Sequence, residues 1–458
     1  MEIDRKVGEQ VVLFISVVKW AVLGMFVGGI VGCSTAVFIK TLNWSISFTS
    51  QYPYYFLLMP AGFLASSLIV KLLAPQAEGH GTEKIIEAIH KQSGKISPAV
   101  VPVKLVATII TIALGGSAGK EGPAAQIGAA LASCFADLLR FDDNDRKKLV
   151  ICGISAGFSS VFGTPVGGAI FGVEVLFAGS MMYEVLLPSF IAGVTAYQVS
   201  SVLGLNYFQR PIEFIPVFSG SFFIKVIAAG FFFGLVSLLF IEIMTVTHKA
   251  AKKIPLQLWI RPLLGGLICA ILALVFSRDY LGLGVETIES CLKGMPVVWY
   301  AFLMKVIFTS VTLAFGGSGG IVTPIFFIGA AAGNTYGHFF GLDPAVFSSI
   351  GFVSLLAGCA NTPISASIIS IELFGPQLAP YAAAACIVSF LMTGHRSIYS
   401  SQVLAIRKSA SIDVQIGREL IAVTACAHPR EKSLSAFLLR LIKKLKIVLK
   451  GDFPQKQD

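Results

Sequence analysis

The pentapeptide Gly119-Lys120-Glu121-Gly122-Pro123 sets two charges inside an otherwise apolar run and opens an apolar segment, residues 124–136. The glycines let the backbone turn sharply, and proline suits the first turn of a helix, where its missing N–H costs nothing. The start of such a helix offers unpaired N–H groups and a partial positive charge, which together attract anions. Gly119 and Lys120 stand there as candidate anion ligands. Glu121 brings a carboxylate to the same end, where it competes with an anion when charged and swings away when protonated. Charges at membrane depth are costly and mark function; the structural alternative is a Lys120–Glu121 ion pair. A phosphate-binding loop does not fit, because the GxxxGK spacing is one residue short and Glu121 replaces the hydroxyl residue.

This motif has an echo. GGSAGKEGPAAQIGAALA (115–132) lines up with GGSGGIVTPIFFIGAAAG (316–333), nine of eighteen positions being identical at an offset of 201. Thr164-Pro165 followed by Glu174 matches Thr362-Pro363 followed by Glu372 at an offset of 198. Two collinear matches define two repeated halves of about 200 residues. Gly319-Gly320-Ile321-Val322-Thr323-Pro324 then builds a second helix start like the first. Two paired helix starts bind a small anion without a full positive charge that would hold it too tightly. Glu174 and Glu372, as repeat mates, are expected to cap broken helix ends.

The elements that position these motifs are membrane helices. Hydrophobic residues make up 55% of the 458 residues and charged residues 13%, against about 25% charged in soluble domains. The expected class is an all-α polytopic membrane protein. Several apolar stretches fall short of the roughly 20 residues a full span needs, and others are cut by Gly or Pro. Broken helices are tolerated at membrane depth only inside protein or along a cavity, a pattern of transporters and channels. The net charge of +10 gathers partly at the ends, in Arg5, Lys6, Arg430, Lys432, Arg440, Lys443 and Lys444. By the positive-inside rule both termini are expected to be cytoplasmic. No aromatic-lined basic surface suits nucleic acid. The eight cysteines form no CxxC pair and the histidines do not cluster, so no metal or other cofactor is expected. The expected organisation is a cytoplasmic start (1–14), a transmembrane domain (15–408, with halves near 15–205 and 215–408) and a basic tail (409–458). Within that tail, residues 434–450 read as an amphipathic helix on the membrane surface or on the protein's own cytoplasmic face.

GKEGP, GGIVTP and GHGTE (79–83), together with SIYSSQVL (397–404), resemble in order and spacing the signature regions of the CLC chloride channel and transporter family, over roughly residues 15–408. The resemblance implies halves of inverted topology, a homodimer in the lipid bilayer with one anion pathway per subunit, and chloride as the transported ion, with protons exchanged in the antiporters. It puts Glu121 in the place of the external gating glutamate. The backbone amides of Ile321 and Val322, and the Tyr399 hydroxyl, take the places of central anion ligands. His80 stands where the family usually has serine; its ring either donates to the anion or points away. Glu83 replaces the usual proline, Val322 the usual phenylalanine, and Val175 the internal proton-transfer glutamate. The fluoride-exporting branch, a fluoride/proton exchanger, usually departs from the motif's proline and lacks the tyrosine, so Pro123 and Tyr399 favour chloride. A membrane-embedded enzyme would need a nucleophile beside a base, or a metal set, and neither HExxH nor CxxC is present. The expected function is chloride transport, as a channel or a chloride/proton antiporter gated by Glu121.

Overall fold

A chain this apolar must satisfy its backbone internally, and it does so with helices. The computed structural model describes residues 2–207, 220–254, 259–429, 433, 436 and 437. Among these, sixteen α-helices fall into two sets of eight. The first set is α1 (Glu2–Thr49), α2 (Met59–Leu73), α3 (Thr82–Lys91), α4 (Val100–Ala113), α5 (Glu121–Leu138), α6 (Asp143–Phe162), α7 (Pro165–Glu174) and α8 (Leu186–Val202). The second is α9 (Gly220–Lys253), α10 (Ile260–Val275), α11 (Val285–Leu292), α12 (Ala301–Ala314), α13 (Val322–Phe339), α14 (Pro344–Ala360), α15 (Pro363–Phe374) and α16 (Ala379–Met392). Four helical stretches of the described residues are long and apolar enough to cross a membrane. The shorter helices α5, α6, α13 and α14 form the buried interior. Gly128 of α5 meets Gly153 of α6, and their repeat mates Gly329 and Gly351 meet in the same way. A Cβ on any of the four would strike the facing backbone carbonyl, so the close crossing needs glycine at each.

The halves are inverted. Glu174, at the end of α7, accepts from the N–H groups of Ile364 (3.1 Å) and Ser365 (2.8 Å) at the start of α15. Glu372, near the end of α15, accepts from Val166 (2.9 Å) and Gly167 (2.8 Å) at the start of α7. Each mate's carboxylate caps the other's N-terminus, which requires the two helices to run antiparallel. The expected capping role of both acids is therefore observed. Two further pairs repeat the relation. Gly119 and Gly320 exchange backbone hydrogen bonds of 2.7 and 2.6 Å as an isolated antiparallel bridge. Thr312 Oγ1 accepts from Ser117 N–H (3.1 Å), and Thr111 Oγ1 from Ser318 N–H (3.0 Å).

One face of the molecule collects Lys19 paired with Asp145 (2.7 Å), Gly94 beside Lys147, and Lys91 paired with Glu419 (2.9 Å). The N-terminal part of α1 and the tail therefore share this side. One detail differs from expectation. Residues 2–14 are not a separate segment but continue α1. The tail from 409 packs on the rest of the chain. Its hairpin of Ile412–Asp413 with Cys426–Ala427 leads into and out of a stretch that binds the Tyr399 segment, Leu420 N–H donating to Gln402 O (2.8 Å) and Ile421 N–H to Ser400 O (3.0 Å). Apart from Ala436 and Phe437, the amphipathic stretch 434–450 lies outside the described residues. Glu242, an acid in an apolar run, pairs with Arg396 at 2.8 Å on a half-exposed surface.

Candidate anion site

Three helices begin at one point: α3, α5 and α13. Glycines let them approach. A Cβ at Gly81 (φ +87) would meet the Gly122 carbonyl, one at Gly122 the His80 carbonyl, and one at Gly320 the Gly122 nitrogen. Helix starts aimed together concentrate unpaired N–H groups and partial positive charge.

Glu121 fills this point. It is 1% exposed. Its Oε2 accepts from the Thr323 N–H at 3.1 Å, and the Thr323 hydroxyl lies 2.6 Å from Oε2 and 2.8 Å from Oε1. The carboxylate thus occupies the α13 start as an anion would. Among the described residues no ion pair joins it to Lys120, which sets aside the structural alternative. The Lys120 side chain is half-buried. Gly119 serves differently from expectation. Its N–H is taken by Gly320 O, so it does not donate to an anion. Instead it makes room: a Cβ there would stand 2.8 Å from both Glu121 Oε2 and Thr323 Oγ1. The N–H groups of Ile321 and Val322 take no partner among the described residues, as is usual for the first N–H groups of a helix.

Tyr399 and His80 come together beside these groups, with ring centroids 5.5 Å apart. Tyr399 is fully buried, and its hydroxyl faces Thr82 without a hydrogen bond of good geometry. His80 Nδ1 is also buried without a partner. The His80 ring therefore points inward, toward Tyr399. Unpaired buried polar atoms are rare and call for an explanation.

The supporting shell was not read from the sequence. Lys104 of α4 donates to Ala77 O (3.1 Å) and Gly79 O (2.6 Å), fixing the turn that delivers His80. Lys305 of α12 does the same before α11, through Tyr280 O (3.1 Å) and Gly282 O (2.9 Å). The 201-residue offset pairs Lys104 with Lys305, and that was the signal available. The Tyr399 segment is tied down by Gln402, whose Nε2 donates to Val175 O (2.7 Å) and Ala360 O (2.8 Å), and by Ser397, whose Oγ accepts from Tyr399 N–H (3.0 Å). Glu83 Oε1 accepts from Ser400 Oγ (2.8 Å), Ser401 N–H (2.9 Å) and Ser401 Oγ (2.7 Å). Ser117 and Ser318 sit in G-x-S-x-G spacings, which also arise in hydrolases. Here the Ser117 hydroxyl meets that of Thr309 (3.0 Å) and the Ser318 hydroxyl that of Thr108 (3.4 Å), so each is engaged by a threonine rather than by a base among the described residues.

An inverted repeat of broken membrane helices, whose starts converge on one carboxylate, defines a membrane protein of the ion channel and transporter class. The chain belongs to the voltage-gated chloride channel family, whose profile matches residues 61–394. It is 37% identical over 405 residues to a chloride/fluoride channel protein of Pseudomonas syringae pv. tomato, covering 86% of this chain and 88% of that one. It is 30% identical to the voltage-gated ClC-type chloride channel ClcB of Escherichia coli, over 77% of this chain and 87% of that one. Its fold matches the crystal structure of a CLC-type fluoride/proton antiporter with a TM-score of 0.81 and 27% identity, over 85% of this chain and 99% of that one. A slow cyanobacterial Cl−/H+ antiporter shares the fold with a TM-score of 0.74 at 21% identity, over 83% of this chain and 96% of that one.

Proposed function

We propose that the protein moves chloride across a membrane, in exchange for protons, through a pathway gated by Glu121. The observation that carries this reading is the Glu121 carboxylate seated on the Thr323 N–H and hydroxyl at the start of α13. A charged Glu121 blocks the α13 helix start. A protonated one has lost the negative charge that holds it there, so an anion displaces it. The amides of Ile321 and Val322, the Tyr399 hydroxyl and His80 then hold the anion. Gly119 makes space, and Lys120 adds positive field without direct contact. The working unit is a homodimer in the lipid bilayer with both termini cytoplasmic, and transport rather than covalent chemistry is its activity.

Fluoride is the second reading, favoured by two relatives whose descriptions name it. The pathway's donors are N–H and O–H groups, which suit either halide. The test is efflux from liposomes holding purified protein, read with chloride and fluoride electrodes and a pH electrode. Chloride efflux above fluoride supports the first reading, the reverse order supports the second, and absence of both overturns the assignment.

A further inference from the structure

We propose that Glu83 carries protons between the tail-side face and the anion site. This rests on the anion/proton reading above. Val175 is buried beneath the Tyr399 segment, and its side chain cannot bind a proton. Glu83 lies in the first turn of α3, at the deep end of the helix. Glu87 and Lys91 follow at i+4 and i+8, on the same helix face. Eight residues of helix span about 12 Å, which takes this stripe from the anion site to the tail-side surface. There Glu87 pairs with Lys84 (2.9 Å) and lies 3.8 Å from Lys91, which pairs with Glu419 (2.9 Å). Side-chain exposures of 31% for Glu87 and 50% for Lys91 put water at this end.

The two oxygens of Glu83 differ. Oε1 takes all three bonds from Ser400 and Ser401, while Oε2 is buried and takes none. A proton placed on Oε2 leaves the three bonds intact and gives that oxygen a donor function. Beyond it lies Tyr399, fully buried, whose unpartnered hydroxyl is within electrostatic range of both Glu83 and Glu121. The other ionisable groups facing this region are Glu87 and Lys84 on α3, His80 before it, Lys104 from α4 and His248 from α9. In the step, Oε2 takes a proton from a hydronium ion on the tail side, leaving water and a neutral acid. It then passes the proton to the Glu121 carboxylate and returns to its charged form.

Glu83→Gln separates this role from a tether, because its amide oxygen accepts the same three bonds and binds no proton. In liposomes under an anion gradient, Glu83→Gln still passes anions, because Glu121 also takes protons from the face opposite the tail, while proton uptake falls by about a hundredfold or more, the range for loss of a proton-transfer group. Glu83→Ala loses the tether as well, so both fluxes fall. Glu83→Asp shifts the pH profile of proton uptake and leaves that of anion flux in place, which a tether alone would not do. Undiminished proton uptake by Glu83→Gln overturns the proposal, as does wild-type anion flux without protons, which leaves anion transport standing but not its exchange for protons. Wild-type liposomes that pass no anion overturn that reading and this proposal together.

Discussion

Glu121 and Thr323 join the two halves of the repeat: the carboxylate at the start of α5 is held by the N–H and hydroxyl at the start of α13, 2.6 Å away at the closest. In the aligned repeats Thr323 is the mate of Gly122, and Glu121 the mate of Val322. The two starts are thus built alike but filled differently. One supplies a carboxylate and the other the donors that hold it, so the inverted repeat makes an asymmetric site from symmetric parts.

Neutralising that anion should leave the gate open. Glu121→Gln keeps the shape and removes the charge, and Glu121→Ala removes the group. Both should pass anions at a rate independent of pH and without proton movement. Anion flux that stays tied to protons in Glu121→Ala liposomes would show that another group couples them.

The hydroxyl of Thr323 should hold the gate shut. A hydrogen bond to a charged partner is worth about 1.5–3 kcal/mol. Thr323→Val keeps the N–H and loses the hydroxyl, so the carboxylate competes less well. Apparent anion affinity should rise by roughly ten- to hundredfold, since each 1.4 kcal/mol is a factor of about ten. Titration calorimetry on purified protein reads this. A fall in affinity would assign the hydroxyl to the anion instead.

Tyr399 should act in the opposite sense. Its hydroxyl is buried without a hydrogen bond of good geometry, so Tyr399→Phe costs little stability. It should weaken anion binding by about 1.5–3 kcal/mol, the worth of a hydrogen bond to a charged partner. Equal affinities of variant and wild type would mean that the ring alone matters.

The motifs and the repeat were legible because their residue types are unusual at membrane depth: a carboxylate between glycines, a proline after it, and a second copy 201 residues on. Those features placed Glu121 and predicted the capping by Glu174 and Glu372. The direction of the halves was not legible from spacing, since a linear alignment reads the same for parallel and inverted copies; only the reciprocal caps fix it. Thr323 escaped notice because a lone threonine before proline looks like any helix start, and its role appears only when α5 lies against α13. Lys104 and Lys305 were visible as mates. Their task, holding the carbonyls of chain about 25 residues earlier, depends on contacts that no local pattern encodes.

Glu174 provides the last expected outcome. Its two oxygens take the N–H groups of Ile364 and Ser365, so both acceptors are engaged in holding α15 against α7. Val175 follows it at the end of α7, and adjacent residues on a helix point about 100° apart. The proton route proposed through Glu83 does not pass this carboxylate. Glu174→Gln keeps one accepting oxygen and should leave proton uptake unchanged. Glu174→Ala leaves the buried Ser365 N–H unpaired, at a cost of about 1–3 kcal/mol, frees the part-buried Ile364 N–H as well, and should lower the thermal unfolding temperature of the purified protein. Glu372→Ala should lower it similarly, because its carboxylate caps Val166 and Gly167 in the mirror arrangement. Proton uptake lost in Glu174→Gln, at unchanged thermal stability, would make Glu174 the proton carrier and its capping bonds incidental.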